Sequence, residues 1–193
     1  MNSETRARDA ESVRQYLQGD YTAFQTLFNR YERPLYSYIL GIVKNRHTAQ
    51  DLFQQTWYKV IKALPGYEER QKFSSWLFGI AHNCCIDETR KAENRLKDRA
   101  KSEDVENFIH NSPTPDRELE STEERELLSA AVEQLSDTLK EVVLLRIKAE
   151  LPFKEIASVL ELPLNTVLGR MHYAVKKLKK SVAAATGGVE NVV

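Results

Sequence analysis

The stretch "KFSSWLFGIAHNCCIDETRK", residues 72–91, holds the only two cysteines of the chain, Cys84 and Cys85, within three residues of His82. A thiol beside an imidazole is the arrangement of a cysteine nucleophile, and one His with two Cys supplies three of the four ligands of a zinc site. The spacing argues against both. On a helix, residues two apart lie on nearly opposite faces and residues three apart align only partly, so His82 is poorly placed to activate either thiol. Three ligands packed within four residues cannot converge on one ion, and no second ligand pair lies elsewhere in the chain. Adjacent cysteines rarely close a disulfide because the geometry is strained, which fits a reducing compartment. No catalytic residue, metal or cofactor is expected.

The elements that carry these residues are helical. Phe73, Trp76, Leu77, Ile80, Ala81 and Cys84 recur at steps of three and four, the period of a helix with one buried face, and Cys84 reads as a small apolar member of that stripe. Cys85 lies one step off it and stays ambiguous. Similar sets precede it: Val13, Tyr16 and Leu17; Phe24, Leu27, Phe28 and Tyr31; Leu35, Ile39, Leu40 and Val43; then Leu52, Phe53, Trp57, Val60, Ile61 and Leu64, stopped by Pro65-Gly66. No run alternates as a strand would, and no fixed-period repeat is present. The expected fold is all-α, with two small helical domains.

Lys and Arg number 28, Asp and Glu 28, and the chain of 193 residues is 41% hydrophobic, which excludes a fibre or a wholly disordered protein. Charge is unevenly placed. Ten acids face four bases between Asp98 and Glu126, so the ends are correspondingly basic. Periodicity fades from 98 to about 121, and "NSPTPD" combines turn formers with two prolines, the composition of a flexible acidic linker. About 29 such residues span on the order of 30 Å and stretch to roughly 95 Å, enough for two domains to sit apart on a shared partner. The expected divisions are 10–97, a linker 98–122, a second domain 123–182, and a tail 183–193. No apolar run approaches the roughly 18 to 20 residues that cross a bilayer, and the N-terminus lacks the apolar core of a secretory signal, so direct membrane insertion is not expected and a cytoplasmic location is.

Helical pattern returns with Leu127, Leu128, Ala131, Val132 and Leu135, then Leu139, Val142, Val143 and Ile147. After Leu151-Pro152, "FKEIASVLELPLNTVLGRMHYAVKKLKK" predicts a short helix near 154–160, a turn, and a second helix near 166–180 with Asn165 as N-cap. Ile156, Ala157, Leu160, Leu162 and Val167 fit a helix-turn-helix, and Lys176, Lys177, Lys179 and Lys180 suit phosphates. An αα-hairpin with a solvated lysine face has the same spacing. The turn of such motifs often carries glycine where this chain has Glu161, at a cost of about 1 kcal/mol if the position is left-handed.

The segment "AVEQLSDTLKEVVLLRIKAELPFKEIASVLELPLNTVLGRMHYAVKKLKK" resembles the promoter-recognising fourth domain of bacterial sigma factors of the extracytoplasmic-function type. "YERPLYSYILGIVKNRHTAQDLFQQTWYKVIKAL" followed by "FSSWLFGIAHNCCIDETRK" is similar to their second domain, and the two occur in the family's order. The resemblance implies a non-enzymatic initiation factor that joins core RNA polymerase through its beta-prime and beta subunits and binds promoter DNA. It melts the minus-10 element with its first domain and reads the minus-35 element with its last. It also implies an anti-sigma partner, of a kind that can be membrane-anchored, although no residue marks its surface. The rival reading is a helix-turn-helix regulator that binds operator DNA without joining polymerase.

By the same resemblance, 50–62 is the helix that docks on polymerase, with Asp51, Gln54, Gln55 and Lys59 outward. Family members often carry an acid at Gln50 or Gln55, so docking here would lean on hydrogen bonds and be less salt-sensitive. Residues 66–72 match the loop that captures an extruded base, and 73–91 the helix beside the opened strand. The implied minus-10 set is Tyr67, Lys72, Ser74, Trp76, Asn83, Arg90, Lys91 and Arg95, although the spacing of Trp76 places it mostly in the core. An amide such as Asn83 can both donate to and accept from a base edge. The implied minus-35 set is Lys154, Asn165, Thr166, Leu168, Gly169, Arg170, His172, Tyr173 and Lys177. Relatives commonly carry Arg or Lys at the positions of Leu168 and Tyr173. Bidentate guanine reading is absent there, which leaves Arg170, His172 and the helix N-terminal amides to carry most contacts.

Overall fold

The computed structural model describes residues 3–68, 72–101 and 123–185. Eight α-helices and one 3-10 turn account for its regular structure, and no strand occurs among the described residues. Four helices form the first group: α1 (Ser3–Leu17), α2 (Tyr21–Val43), α3 (Arg46–Ala63) and, after the 3-10 turn Leu64–Gly66, α4 (Phe73–Lys101). The second group is α5 (Glu123–Glu133), α6 (Asp137–Ile147), α7 (Phe153–Val159) and α8 (Leu164–Ala185).

Local chemistry sets the starts of α2 and α3. The Asp20 carboxylate accepts from the Thr22 amide at 2.9 Å, and the Asn45 side chain accepts from the Thr48 amide at 2.9 Å, each satisfying an amide that has no partner inside its helix. Between the two helices Lys44 turns the chain in the left-handed region at φ 56°. Leu27, Tyr31, Leu35, Tyr38 and Ile39 of α2 then face Leu52, Trp57 and Val60 of α3 and Phe73, Leu77, Phe78, Ala81 and Cys84 of α4. Each such side chain, fully buried, contributes about 1.5–3 kcal/mol. Helix α1 is fastened by Asp9, which is buried and bonded to both Arg30 and Tyr31. Burial raises the carboxyl of Asp9 above its ordinary range, and raises the Tyr31 hydroxyl as well.

The helices overrun the divisions expected from sequence. Helix α1 begins at Ser3, α4 continues to Lys101, and α8 reaches Ala185. Residues 102–122 of the expected linker and 186–193 of the expected tail lie outside the described residues. The two groups also do not stand apart. Helix α6 packs on α2 and α7 on α4, and Val142, Leu144, Leu145, Leu151, Ile156 and Val167 belong to one continuous core with Tyr38, Leu77 and Cys85. This seam explains Cys85. Both cysteines are buried, and Cys85, with no exposed surface, sits where Tyr38 of α2 and Glu141 of α6 come close. One helix is thus buried on two sides, and a stripe drawn for one buried face omits the second. Burial, with Cys84 and Glu141 nearby, pushes the Cys85 thiol up to about 12, so it is inert rather than nucleophilic.

Candidate functional site

Three surfaces gather the residues singled out by sequence. On α3, Asp51, Gln54 and Gln55 are exposed and Lys59 is half-exposed. Asp51 pairs with His47 one turn earlier at 3.3 Å. Beside them opens a groove of about 680 Å³ between α2 and α3, walled by Phe28, Tyr36, Phe53, Trp57, Tyr58 and Ile61 and rimmed by Glu32, Gln50 and Gln54. Its rings interlock, with Phe28 centred 5.1 Å from Trp57 and 6.0 Å from Phe53, and Tyr36 6.0 Å from Phe53. Of the four residues expected to dock, only Gln54 lines this groove, and the apolar wall was not foreseen from sequence. Ile61, placed in the buried stripe, is 43% exposed, and Tyr58, on no stripe, is 58% exposed. Two large apolar residues on a polar helix face were the available signal.

The second surface runs along α4. Trp76, Asn83 and Arg90 are spaced by seven residues, two helical turns, so they share one face with about 10 Å between successive side chains. Asn83, Arg90 and Lys91 are exposed. Arg95 is partly engaged by Glu88 at 2.5 Å. At the N-terminal end Trp76 is half-buried and lies against Tyr67, with ring centroids 4.5 Å apart and planes 39° apart, while Phe73 supports it at 5.8 Å. Trp76 is therefore both core and surface. Lys72 is exposed beside it, and residues 69–71 of the adjoining loop lie outside the described residues. Ser74 requires a correction: it is buried at 2% exposure beneath Tyr31, with no surface to offer a nucleic acid. His82, next to Asn83, turns toward the seam, where its Nδ1 lies 3.1 Å from the Tyr38 hydroxyl. Burial pulls its imidazole below the ordinary value, against the opposing pull of Glu161.

The third surface is α8. Helix α7 closes in a six-residue cap: Leu162 donates to the Ala157 carbonyl at 2.9 Å and Glu161 to Ser158 at 3.3 Å, with Glu161 itself left-handed at φ 52°. The position foreseen for glycine is thus left-handed and occupied by a glutamate. Helix α8 begins at Leu164, one residue before the expected cap, so Asn165 stands in the first turn, and the amides of Thr166 and Val167 bond to the Pro163 carbonyl at 3.0 and 3.2 Å. Val167 and Ala174 are buried. Asn165, Thr166, Leu168, Gly169, His172, Tyr173 and Lys177 all face outward, as does Lys154 on α7. Tyr173 is 54% exposed with the Lys177 ammonium 5.6 Å from its ring centre. Arg170 is only half-exposed and lies within electrostatic reach of Glu141, whose carboxyl is raised by burial.

Among the described residues no group of three or more His, Cys, Asp or Glu is arranged to hold a metal ion, and no helix is long and apolar enough to cross a membrane. The Sigma-70 region 2 family matches residues 27–95 and the Sigma-70 region 4 family residues 131–180. The chain is 26% identical over 176 residues to the ECF RNA polymerase sigma factor SigW of Bacillus subtilis, covering 88% of this chain and 94% of that one. It is 26% identical over 184 residues to the RNA polymerase sigma-H factor of Pseudomonas aeruginosa, covering 92% and 95%. In fold it is similar to the sigma factor RpoE of Bartonella quintana, solved in complex with the anti-sigma factor NepR, with a TM-score of 0.67, 19% identity and coverage of 82% and 96%. CnrH, solved with the cytosolic domain of CnrY, gives a TM-score of 0.64 at 22% identity over 92% and 98%.

Proposed function

The chain belongs to the sigma-70 family, as an alternative sigma factor of the extracytoplasmic-function type that acts with RNA polymerase, and we propose how its three surfaces divide that work. The observation that carries the reading is the presence of region 2 and region 4 in one chain, in that order, with a basic exposed helix face in each.

The groove between α2 and α3 takes the polymerase, its apolar wall supplying burial and Asp51, Gln54, Gln55 and Lys59 fixing orientation. The face of α4 takes the minus-10 strand once it is single. A strand kept open has lost its stacking, and rings return about 1–3 kcal/mol per stacked base, which suits the Tyr67–Trp76 pair. Asn83 can read a base edge one step along, while Arg90, Lys91 and Arg95 follow phosphates. Helix α8 reads the minus-35 duplex with Arg170, His172 and its polar first turn, and Lys154 and Lys177 neutralise phosphates. Leu168 and Tyr173 give it apolar contacts where a base-reading cation would stand, a composition suited to thymine methyl groups. Sigma factors are generally not enzymes, and the bond-forming chemistry is assigned to the polymerase. A cytoplasmic location follows from that partnership, and an anti-sigma partner is proposed by analogy with the complexes of RpoE and CnrH.

Run-off transcription with purified core polymerase on a randomised promoter library tests the reading. Transcripts that start at a defined distance from one enriched pair of elements are expected, and Asn83→Ala should lower permanganate reactivity of the opened region while polymerase binding persists. Sequence-specific binding of duplex DNA by the protein alone, with no transcripts from the mixture, would instead establish a regulator that acts without polymerase.

A further inference from the structure

We infer that Gly79 and Gly169 leave the two DNA-facing helices bare at the middle of those faces, so that the helix backbone itself meets the nucleic acid, a role that rests on the sigma-factor reading. Glycine weakens the interior of a helix relative to alanine, so a helical glycine needs a reason. The five described glycines divide on that question. Gly19 stands in the left-handed region at φ 100°. Gly66 ends the 3-10 turn, outside any α-helix, an ordinary place for glycine. Gly41 lies inside α2, where a Cβ would sit 2.7 Å from Leu144 Cδ1, so packing accounts for it. Gly79 of α4 and Gly169 of α8 have none of these reasons. Both are helical, neither has a positive φ, and an added Cβ would meet no atom within 4 Å. The fold itself does not ask for glycine at either position.

Their places on the two faces supply the reason. Gly79 follows Trp76 by three residues and precedes Asn83 by four, so the three share one face, with the glycine about 4.5 Å along the axis from the first and about 6 Å from the second. Between the ring that receives one base and the amide that reads another, α4 thus carries a notch floored by main chain. That notch suits the deoxyribose joining the two nucleotides, which even a methyl group would hold off. On α8 the exposed Gly169 stands one turn after Asn165 and Thr166 and one turn before His172 and Tyr173, all exposed. Asn165 and Thr166 are short. They reach base edges only if the helix lies deep in the major groove, and a residue without a side chain at the middle of the face lets it lie there.

The variants Gly79→Ala, Gly79→Met, Gly169→Ala and Gly169→Met provide the test, since both replacements favour helix and add bulk in steps. Alanine at either position should raise the thermal midpoint by about 2 °C. Run-off transcription by the holoenzyme, on the promoter enriched from the randomised library, should fall about fivefold with alanine and more than about tenfold with methionine, the penalty of forcing extra carbons into a close contact. The two positions should then part. Gly169 variants should narrow the ratio of transcription between intact and scrambled minus-35 templates, while Gly79 variants should keep that ratio and lose permanganate reactivity of the opened region. A midpoint lowered by alanine shows that the fold needs the glycine and overturns the role of bare backbone, as do stabilised variants that transcribe at the wild-type rate. Full loss with alanine and no further loss with methionine marks the glycines as flexible joints and overturns it too. A wild-type holoenzyme that yields no transcript is a separate failure, which defeats the sigma-factor reading and takes this role with it.

Discussion

Both helical groups present a helix with exposed basic residues, and they hold it with different side chains. In the first group the rings pair with one another, from the Tyr16–Tyr21 pair through Phe24, Phe28, Phe53 and Trp57 to Tyr31, Tyr38 and Phe78, and only the exposed Tyr58 meets a cation instead, the Lys62 ammonium at 4.8 Å. In the second group the core is Val142, Val143, Leu144, Leu145, Leu151, Ile156 and Val167, and its rings face cations instead: Phe153 carries the Arg146 guanidinium at 5.2 Å and Tyr173 the Lys177 ammonium at 5.6 Å. Aromatic pairs add about 0.5–1.5 kcal/mol beyond their burial and resist reorientation. The contrast suits the two tasks proposed for these helices. A platform that replaces stacking in an opened strand must not deform, while a helix that enters an intact groove needs only to be held at an angle with its charges outward.

Breaking the aromatic network should give the largest effect. Phe78→Ala removes a fully buried ring set edge-on to Tyr38 at 5.4 Å and should cost about 3–5 kcal/mol in urea unfolding. Leu139→Ala in the smaller satellite core of the second group should cost only about 2 kcal/mol. Equal costs would remove the distinction between the groups. Next in size, Tyr58→Glu with Ile61→Glu places charge on the groove wall without touching the core, and losing burial worth about 1.5–3 kcal/mol should weaken polymerase association tenfold or more by co-elution. Undiminished co-elution would take the groove out of the interface.

A smaller, opposite change sharpens the comparison from the other side. Glu161→Gly relieves a left-handed residue and should stabilise the second group by about 1 kcal/mol, read as a raised thermal midpoint. The smallest effect belongs to pH. His82 titrates lower when folded than its ordinary value of about 6.5, so its contribution is fully present above that pH and is lost as pH falls from there through the folded value. The groups facing it are the Tyr38 hydroxyl and Glu161. Acidification from pH 7.5 to 5.5 should lower the thermal midpoint of the wild type more than that of His82→Gln, and parallel curves would show that His82 does not sense the seam.

The helices and the helix-turn-helix were legible in the sequence because each buries a stripe against its own group, and a stripe is a property of local spacing. What escaped depends on elements far apart in the chain. Cys85 sits one step off the stripe because α4 is covered from the seam side by the second group. Ser74, polar and beside a loop, is buried because Tyr31 needs a companion there. The apolar groove wall stayed hidden because Phe53 and Trp57 share the interior and line the surface at once. The turn at Glu161 was marked in sequence as a place where such motifs often carry glycine, with a left-handed backbone only as a condition; that much was legible because cap geometry, unlike packing, is local.

The seam has a last consequence, which follows from covalent connection. Its two sides belong to one polypeptide, so they meet at an effective concentration set by the chain that joins them and not by the amount of protein present. Dilution therefore leaves the packing of α6 on α2 and of α7 on α4 as it is.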